Sequence, residues 1–317
     1  MDRILVTPRS FGSGNSKPKK ILERQNYKIT YNNTGKHFTE KQMIKKLADK
    51  DAVIVGTDPI SAKVIENASQ LRVISKYGVG LDNIDLEAAN KNGIMVTYTP
   101  GTNFEAVAEL SIGLMFNIAR NISTIDRKVR EKNWLQSRGV ELKGKIIGII
   151  GTGTIGKRTA EIANCIGMKV ICYDINKDKE WAEKLGAKYQ SFDKLISKAD
   201  FISLHIPLNS KTKYMIGKKE LNKMKKSSIL INTSRGGIVD LDALVEALKE
   251  NCITGAGLDV FENQPPKNQE IYDLDNIVIT SHIGAHTRES ITKMGTFSAN
   301  NLIKGLEGKK PKYTVTK

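Results

Sequence analysis

The segment Gly151-Thr152-Gly153-Thr154-Ile155-Gly156 has the spacing that best suits a phosphate chain in this sequence. It follows an apolar run, Ile146 to Ile150, and opens a stretch of helical spacing. In that context Gly151 permits a tight turn, Gly153 lets the backbone approach a pyrophosphate, and Gly156 allows helix and strand to pack closely. Thr154 and Ile155 lead into the helix, whose unfilled N–H groups attract an anion. Asp174 lies 18 residues beyond Gly156, at the end of the strand-like run Val170-Ile171-Cys172-Tyr173. A carboxylate there accepts hydrogen bonds from an adenosine ribose and repels a 2′-phosphate, so the cofactor expected is NAD rather than NADP. The bland alternative is an ordinary strand–turn–helix with a solvated Asp.

Two more residues suit redox chemistry beside such a cofactor. Hydride chemistry at an alcohol or carbonyl carbon needs a base at the hydroxyl, a cation for any developing negative charge, and a dry enclosure. His282 follows the last strand-like run, and an imidazole with an ordinary pKa of about 6.5 exchanges protons near neutrality. Arg235 follows the strand-like run Ile229 to Asn232 and can hold a carboxylate through two parallel hydrogen bonds. Taken alone, a single His after a strand favours a structural role.

The elements that must position these groups alternate along the chain. Strands are expected at Ile4 to Thr7, Ala52 to Val55, Arg72 to Ser75 and Met95 to Thr97, with helices at Thr39 to Asp49, Ser61 to Ala68 and Leu86 to Asn92. After the breaker cluster Thr99 to Asn103 comes a nearly all-apolar helix, Phe104 to Arg120, suited to burial and to a subunit interface. The alternation then restarts. Strands are expected at Ile146 to Ile150, Lys169 to Tyr173, Phe201 to Leu204, Ser228 to Asn232, Gly255 to Leu258 and Ile277 to Thr280. Helices are expected at Gly156 to Cys165, Lys179 to Lys184, Phe192 to Ser197, Lys218 to Lys223 and Leu241 to Glu250. This predicts an α/β fold of two Rossmann-like domains with doubly wound parallel sheets. A surplus helix, Arg288 to Glu307, is expected to return to the first domain. The division expected is 1–98 plus 288–317 for substrate and 99–287 for NAD.

Composition narrows the function further. The net charge is +16, from 50 basic and 34 acidic residues, but the basic residues are spread along the chain and lack interleaved aromatics. That fits a lysine-rich solvated surface that attracts anionic substrates, not a nucleic-acid face. No long apolar run implies a membrane span. The N-terminus reads as a strand and not as a signal peptide. The three cysteines form no metal or disulfide spacing and read as reduced, mostly buried thiols of a cytoplasmic protein; no metal is expected.

Several longer segments, in order, resemble the D-2-hydroxyacid dehydrogenases, most closely the short phosphoglycerate dehydrogenases. They are Lys76-Tyr77-Gly78-Val79-Gly80-Leu81-Asp82-Asn83, Thr99-Pro100-Gly101 with Asn103, Gly151 to Gly156, Asn232 to Gly237, Leu258-Asp259-Val260-Phe261-Glu262, and Ser281-His282-Ile283-Gly284. The resemblance spans about residues 50 to 308 and, more loosely, the first 50. It implies catalysis in a cleft between the two domains, a homodimer built largely on the nucleotide domain, and a small 2-hydroxy or 2-oxo acid as substrate. It makes His282 the acid/base and Arg235 the substrate anchor. It gives the Gly78-Val79-Gly80 loop, with Asn103, to the substrate carboxylate, with Lys76 adding charge or simply exposed. It lines the cofactor with His205, Ile206, Pro207, Thr212, Thr233, Ser234 and Gly284, and sets Asp259 against the nicotinamide carboxamide.

The chain departs from that family at Gln264, where most members carry the Glu that pairs with the catalytic His; Ser281 also replaces a usual Pro. Gln264 can orient an imidazole but cannot stabilise imidazolium as a carboxylate does. The main expectation is an NAD-dependent enzyme whose substrate is a phosphoglycerate, glyoxylate, hydroxypyruvate or a bulkier 2-oxo acid. Formate dehydrogenases resemble the chain in having Gln at that position, which keeps a second hydride-transfer reading open. A third is an NAD(H)-sensing protein without catalysis.

Overall fold

A computed structural model of the chain describes residues 1–316. Its contacts divide the chain into two units, Met1–Asn103 with Ala285–Lys317, and Phe104–Gly284. The sequence had put these borders at 98/99 and 287/288. Both units are α/β with wholly parallel sheets.

The first unit holds β1 (Arg3–Val6), β2 (Lys28–Tyr31), β3 (Ala52–Val55), β4 (Val73–Lys76) and β5 (Met95–Thr97), in the order β2-β1-β3-β4-β5. Its strands are apolar on both faces, as a parallel sheet covered by helices requires. Leu5, Val53, Val55, Ile74 and Val96 pack with Met43, Leu47, Val64 and Ala89 of the intervening helices. Alternate residues Ile4, Val6, Ala52, Ile54 and Val73 pack instead with Leu22, Met294, Ala299 and Leu302. The last three belong to helix Arg288–Leu306, which packs on β3, β4 and β5. The terminal helix therefore supplies a full layer of this unit. Ser75 donates its hydroxyl to the Ser298 carbonyl (2.8 Å). Gly305 sits where a Cβ would lie 2.9 Å from Val73. β2 and helix Lys17–Glu23 were absent from the sequence expectation.

The second unit holds β6 (Ile146–Ile150), β7 (Lys169–Tyr173), β8 (Lys188–Tyr189), β9 (Phe201–Leu204), β10 (Ile229–Asn232), β11 (Gly255–Leu258) and β12 (Ile277–Ile279). The order β12-β11-β10-β9-β6-β7-β8 corrects the expected six strands to seven. The two-residue β8 carries too little apolar signal to be read from sequence. Strand order reverses beside β6, and in such sheets ligands bind at the carboxyl ends near that point. Helix Phe104–Ala119 buries Ile112, Leu114, Met115 and Ile118 against Ile147, Ile149, Ile229 and Ile231. Its apolar girth is thus largely used within this unit. Helix Ile122–Arg130, which was not expected, buries none of its residues. Of the thiols only Cys172 is buried, and burial pushes it up to about 12; Cys165 is exposed and Cys252 half-buried. Among the described residues no helix is long and apolar enough to cross a membrane.

Leu302 is fully buried under the first sheet. Leu302→Ala should destabilise the protein by about 2–5 kcal/mol through lost transfer energy and a residual cavity. Urea unfolding with exposed Lys304→Ala as control checks this. Equal midpoints for the two variants would mean that the terminal helix contributes little to the fold.

Candidate active site

The glycine turn is built by backbone constraints. Gly151 ends β6 with φ +95°, and a Cβ there would sit 2.4 Å from the His205 carbonyl oxygen. A Cβ on Gly156 would lie 1.9 Å from the Gly151 carbonyl oxygen, so only glycine lets helix Thr154–Cys165 start so close to the strand. A Cβ on Gly153 would meet nothing within 4 Å. The space over that residue is open. Gly153 caps the helix without a side chain, and the N–H groups of Thr154, Ile155 and Gly156 have no partner among the described residues. An open cradle facing unfilled N–H groups at a helix start fits a pyrophosphate.

Asp174 follows β7 directly. One carboxylate oxygen accepts the Thr152 N–H (2.6 Å) and the Thr152 hydroxyl (3.1 Å), and the other accepts the Asn176 N–H (2.8 Å). Beside the glycine turn, His205 bonds Ser203 Oγ through Nε2 (2.9 Å). Burial pushes its pKa down to about 3, so the ring is neutral at physiological pH. Ile206 reaches the turn as well, 2.7 Å from a Cβ built on Gly151. Thr212 closes the next loop by donating to the Pro207 carbonyl (2.7 Å) and accepting the Asn209 N–H (2.8 Å).

Arg235 is delivered by an Asn-centred turn at the end of β10. Asn232 is 1% exposed; its oxygen accepts from the N–H and hydroxyl of Ser234 (3.1 and 2.9 Å), and its amide donates to the Arg235 carbonyl (2.8 Å). Arg235 in turn donates to the Ser234 carbonyl (2.7 Å). Because Ser111 donates its hydroxyl to the Val107 carbonyl, the Thr233 hydroxyl must donate to Ser111 Oγ (2.8 Å). This ties the turn to helix Phe104–Ala119. A Cβ on Gly236 would lie 2.0 Å from the Phe261 carbonyl carbon, so the Arg235 loop lies directly against the loop that carries Gln264.

His282 has φ +60°, a left-handed conformation unusual for a non-glycine residue. Asp259 holds it there. That carboxylate is 1% exposed and accepts the Thr280 hydroxyl (2.6 Å), the Ile283 N–H (2.8 Å) and the Gly284 N–H (2.8 Å). Its oxygens brace the histidine loop from residues 280 to 284. Gly284, expected to line the cofactor, likewise donates its N–H to that carboxylate. Gln264 does meet the histidine: Oε1 lies 3.2 Å from His282 Nδ1, while its amide nitrogen donates to the Phe261 carbonyl (3.3 Å). With the amide so oriented, the Gln264 oxygen faces the imidazole as an acceptor and fixes the ring's orientation at Nδ1. Glu262, two residues before Gln264, is turned to other partners. It is engaged by the Tyr214 hydroxyl (2.7 Å) and by Lys213 (3.6 Å).

Within the first unit the expected substrate loop follows β4. Lys76 is 5% exposed, which overturns simple exposure; its ammonium donates to the Gly56 carbonyl and to Asn83 Oδ1. Gly78 has φ +135°, and its N–H donates to Thr99 Oγ1 (3.0 Å), so this donor is not offered to a carboxylate. The N–H groups of Val79 and Gly80 have no partner among the described residues. Asn103, the last residue of this stretch, is half-buried.

Sequence reasoning quoted Asn232 only as part of a motif and missed Ser111 altogether. An Asn directly before Thr-Ser-Arg-Gly-Gly is a turn signal that pointed to the first. Nothing in the local sequence points to the second.

Residues 112–284 match the family model described as D-isomer specific 2-hydroxyacid dehydrogenase, NAD binding domain. The chain is 44% identical over 285 residues to a glyoxylate reductase of Thermococcus litoralis, covering 87% of this chain and 86% of that one. It is 42% identical over 276 residues to a D-3-phosphoglycerate dehydrogenase of Methanocaldococcus jannaschii, covering 86% of this chain and 52% of that one. A solved D-lactate dehydrogenase of Aquifex aeolicus, complexed with NAD and lactic acid, superposes with TM-score 0.84 at 30% identity, covering 96% of both chains. With the match to the family's NAD-binding model and relatives of this similarity, the chain belongs to the D-isomer-specific 2-hydroxyacid dehydrogenases, NAD-dependent oxidoreductases that interconvert a D-2-hydroxy acid and its 2-oxo acid.

Proposed function

We propose that this enzyme acts as a reductase of small 2-oxo acids of the glyoxylate or hydroxypyruvate kind, with His282 as the acid/base and Arg235 as the carboxylate anchor. The observation that carries this reading is the His282–Gln264 contact. A neutral amide at Nδ1 orients the imidazole without adding a charge beside it, which suits a ring that exchanges a proton with substrate oxygen. Bound NAD(H) gives or takes the hydride at the carbon. In reduction, protonated His282 donates its Nε2 proton to the carbonyl oxygen. In oxidation, neutral His282 removes the hydroxyl proton. Arg235 is the donor assigned to the carboxylate, and Asp174 with the Gly151–Gly156 turn is assigned to the dinucleotide. Asn232 and Asp259 are positioning residues for Arg235 and His282.

Two observations favour an acid without a phosphate. The ammonium of Lys76, the cation beside the expected substrate loop, is already engaged by Gly56 and Asn83. The glyoxylate reductase of T. litoralis is also the more similar of the two relatives, 44% identical against 42% for the phosphoglycerate dehydrogenase. We also assign a homodimer. The apolar surface left on the second unit includes Phe116, Ile122, Val129, Trp134, Leu135 and Val140, with Trp134 84% exposed. A tryptophan so exposed beside other apolar residues is the usual mark of a protein contact. The unpaired cysteines suit a reducing cytoplasm.

With NADH, kcat/KM for glyoxylate or hydroxypyruvate should exceed that for 3-phosphohydroxypyruvate by about tenfold or more, the scale of one well-made charge contact. A preference for the phosphorylated acid would transfer the assignment to phosphoglycerate oxidation. Formate with NAD should give no NADH. Gln264→Glu places a carboxylate beside imidazolium and favours its protonated form. Reduction, which needs imidazolium, should then persist to higher pH, and the rise of hydroxyacid oxidation should move up by about 1 pH unit. Unmoved pH profiles would remove residue 264 from control of the proton. For the dimer, Trp134→Lys with Leu135→Lys should halve the mass seen by sedimentation velocity. A wild-type monomer at micromolar concentration would end that assignment.

A further inference from the structure

A chain of hydrogen bonds runs from the edge of the second sheet to Asp174. Its direction is fixed by its two ends. The Asp178 N–H can only donate, and it does so to the Tyr189 hydroxyl oxygen (3.1 Å). The Asp174 carboxylate can only accept, so the Thr152 hydroxyl donates to it (3.1 Å). The middle link, Tyr189 Oη to Thr152 Oγ1 (2.9 Å), must therefore have tyrosine as donor. Bonds ordered head to tail polarise one another and hold the terminal acceptor more firmly than any single bond.

Each member is itself anchored. Tyr189 lies on β8, paired opposite Cys172 on β7 only two residues before Asp174. The Gln190 N–H closes that pairing on the Cys172 carbonyl (2.8 Å). Asp178 is ion-paired with Lys157 of the glycine-turn helix and accepts the Trp181 N–H (3.1 Å). Thr152, the residue between the first two glycines, is 5% exposed and also gives its N–H to Asp174 (2.6 Å). One Asp174 oxygen is thus filled by Thr152 twice, and the other, which holds only the Asn176 N–H, keeps a lone pair.

We infer that Tyr189 and Thr152 are positioning residues that lock the Asp174 carboxylate in one orientation and thereby set the preference for NADH over NADPH. A carboxylate on a free side chain can swing aside and let a 2′-phosphate in. One clamped on both oxygens cannot turn away, so the phosphate meets a fixed negative charge while a ribose hydroxyl meets a fixed acceptor. The inference rests on Asp174 as the ribose ligand.

Steady-state kinetics and nicotinamide-fluorescence titrations with NADH and NADPH test it on the full chain. Thr152→Val, which keeps the shape and loses the hydroxyl, should raise KM and Kd for NADH by about 5–10-fold, the scale of one lost hydrogen bond to a charged group, with kcat within about twofold. NADPH binding should change less, so the NADH/NADPH ratio of kcat/KM falls by a similar factor. Tyr189→Phe should give a smaller loss of about 2–5-fold in the same ratio. Thr152→Ser, which restores the hydroxyl, should return the ratio to wild type. Asp174→Asn separates the two levels of the argument. If it leaves NADH binding intact, the ribose role of Asp174 fails. If it weakens NADH binding while Thr152→Val and Tyr189→Phe leave the NADH/NADPH ratio unmoved, the positioning role fails and the ribose role stands. A fall in kcat or thermal stability in either variant, with the ratio unchanged, would make the chain merely structural and overturn the inference.

Discussion

Asp259 takes three hydrogen bonds from residues 280 to 284 while almost wholly removed from water. Burying a carboxylate costs several kcal/mol unless its lone pairs are filled, and here backbone N–H groups and a hydroxyl fill them. In return the loop holds His282 at a positive φ, a conformation that costs about 1–3 kcal/mol for a non-glycine residue. Charge-assisted bonds are about twice as strong as neutral ones, so three of them offset that strain. Everything proposed for His282 requires that its ring stand where this carboxylate holds it.

The same device recurs on two other strands of the sheet. Asn232 at the end of β10 fixes Arg235, and Asp174 at the end of β7 is fixed by Thr152. In each case a buried or half-buried Asn or Asp ends a parallel strand and bonds the backbone or side chain just beyond. The sheet is rigid because its side chains interdigitate on both faces. Short polar groups at its carboxyl edge pass that rigidity to loops that would otherwise move. Gly236 adds a steric constraint by bringing the Arg235 loop against Phe261.

Strands with long apolar runs were legible from the sequence, because a parallel sheet buried on both faces leaves a continuous signal. β3, β5, β6, β7, β9 and β11 fall at the expected residues. β2, with Lys28-Ile29-Thr30-Tyr31 on an edge, and β8, with two residues, carry too little apolar pattern to be seen. The glycine turn with Asp174 stands out by residue type and spacing, whereas Arg235 and His282 were singled out by the family resemblance, a lone His after a strand carrying no such signal. The bracing of the histidine loop by Asp259 was not legible, since its side-chain direction depends on a loop more than twenty residues away. Lys76 reads as a surface cation and is instead enclosed by Gly56 and Asn83, residues brought to it only by folding.

Helix Arg288–Leu306 completes a sheet whose strands all lie in the first hundred residues. During synthesis those strands emerge from the ribosome long before their covering layer exists. Residues 104–284, which are contiguous, can collapse while Ile4, Val6, Ile54 and Val73 still lack Met294, Ala299 and Leu302. The nascent chain therefore carries a bare apolar sheet face until its final turns of helix are made, and a ribosome stalled near codon 285 would leave a product with a finished nucleotide-binding half and an adhesive, unfinished one.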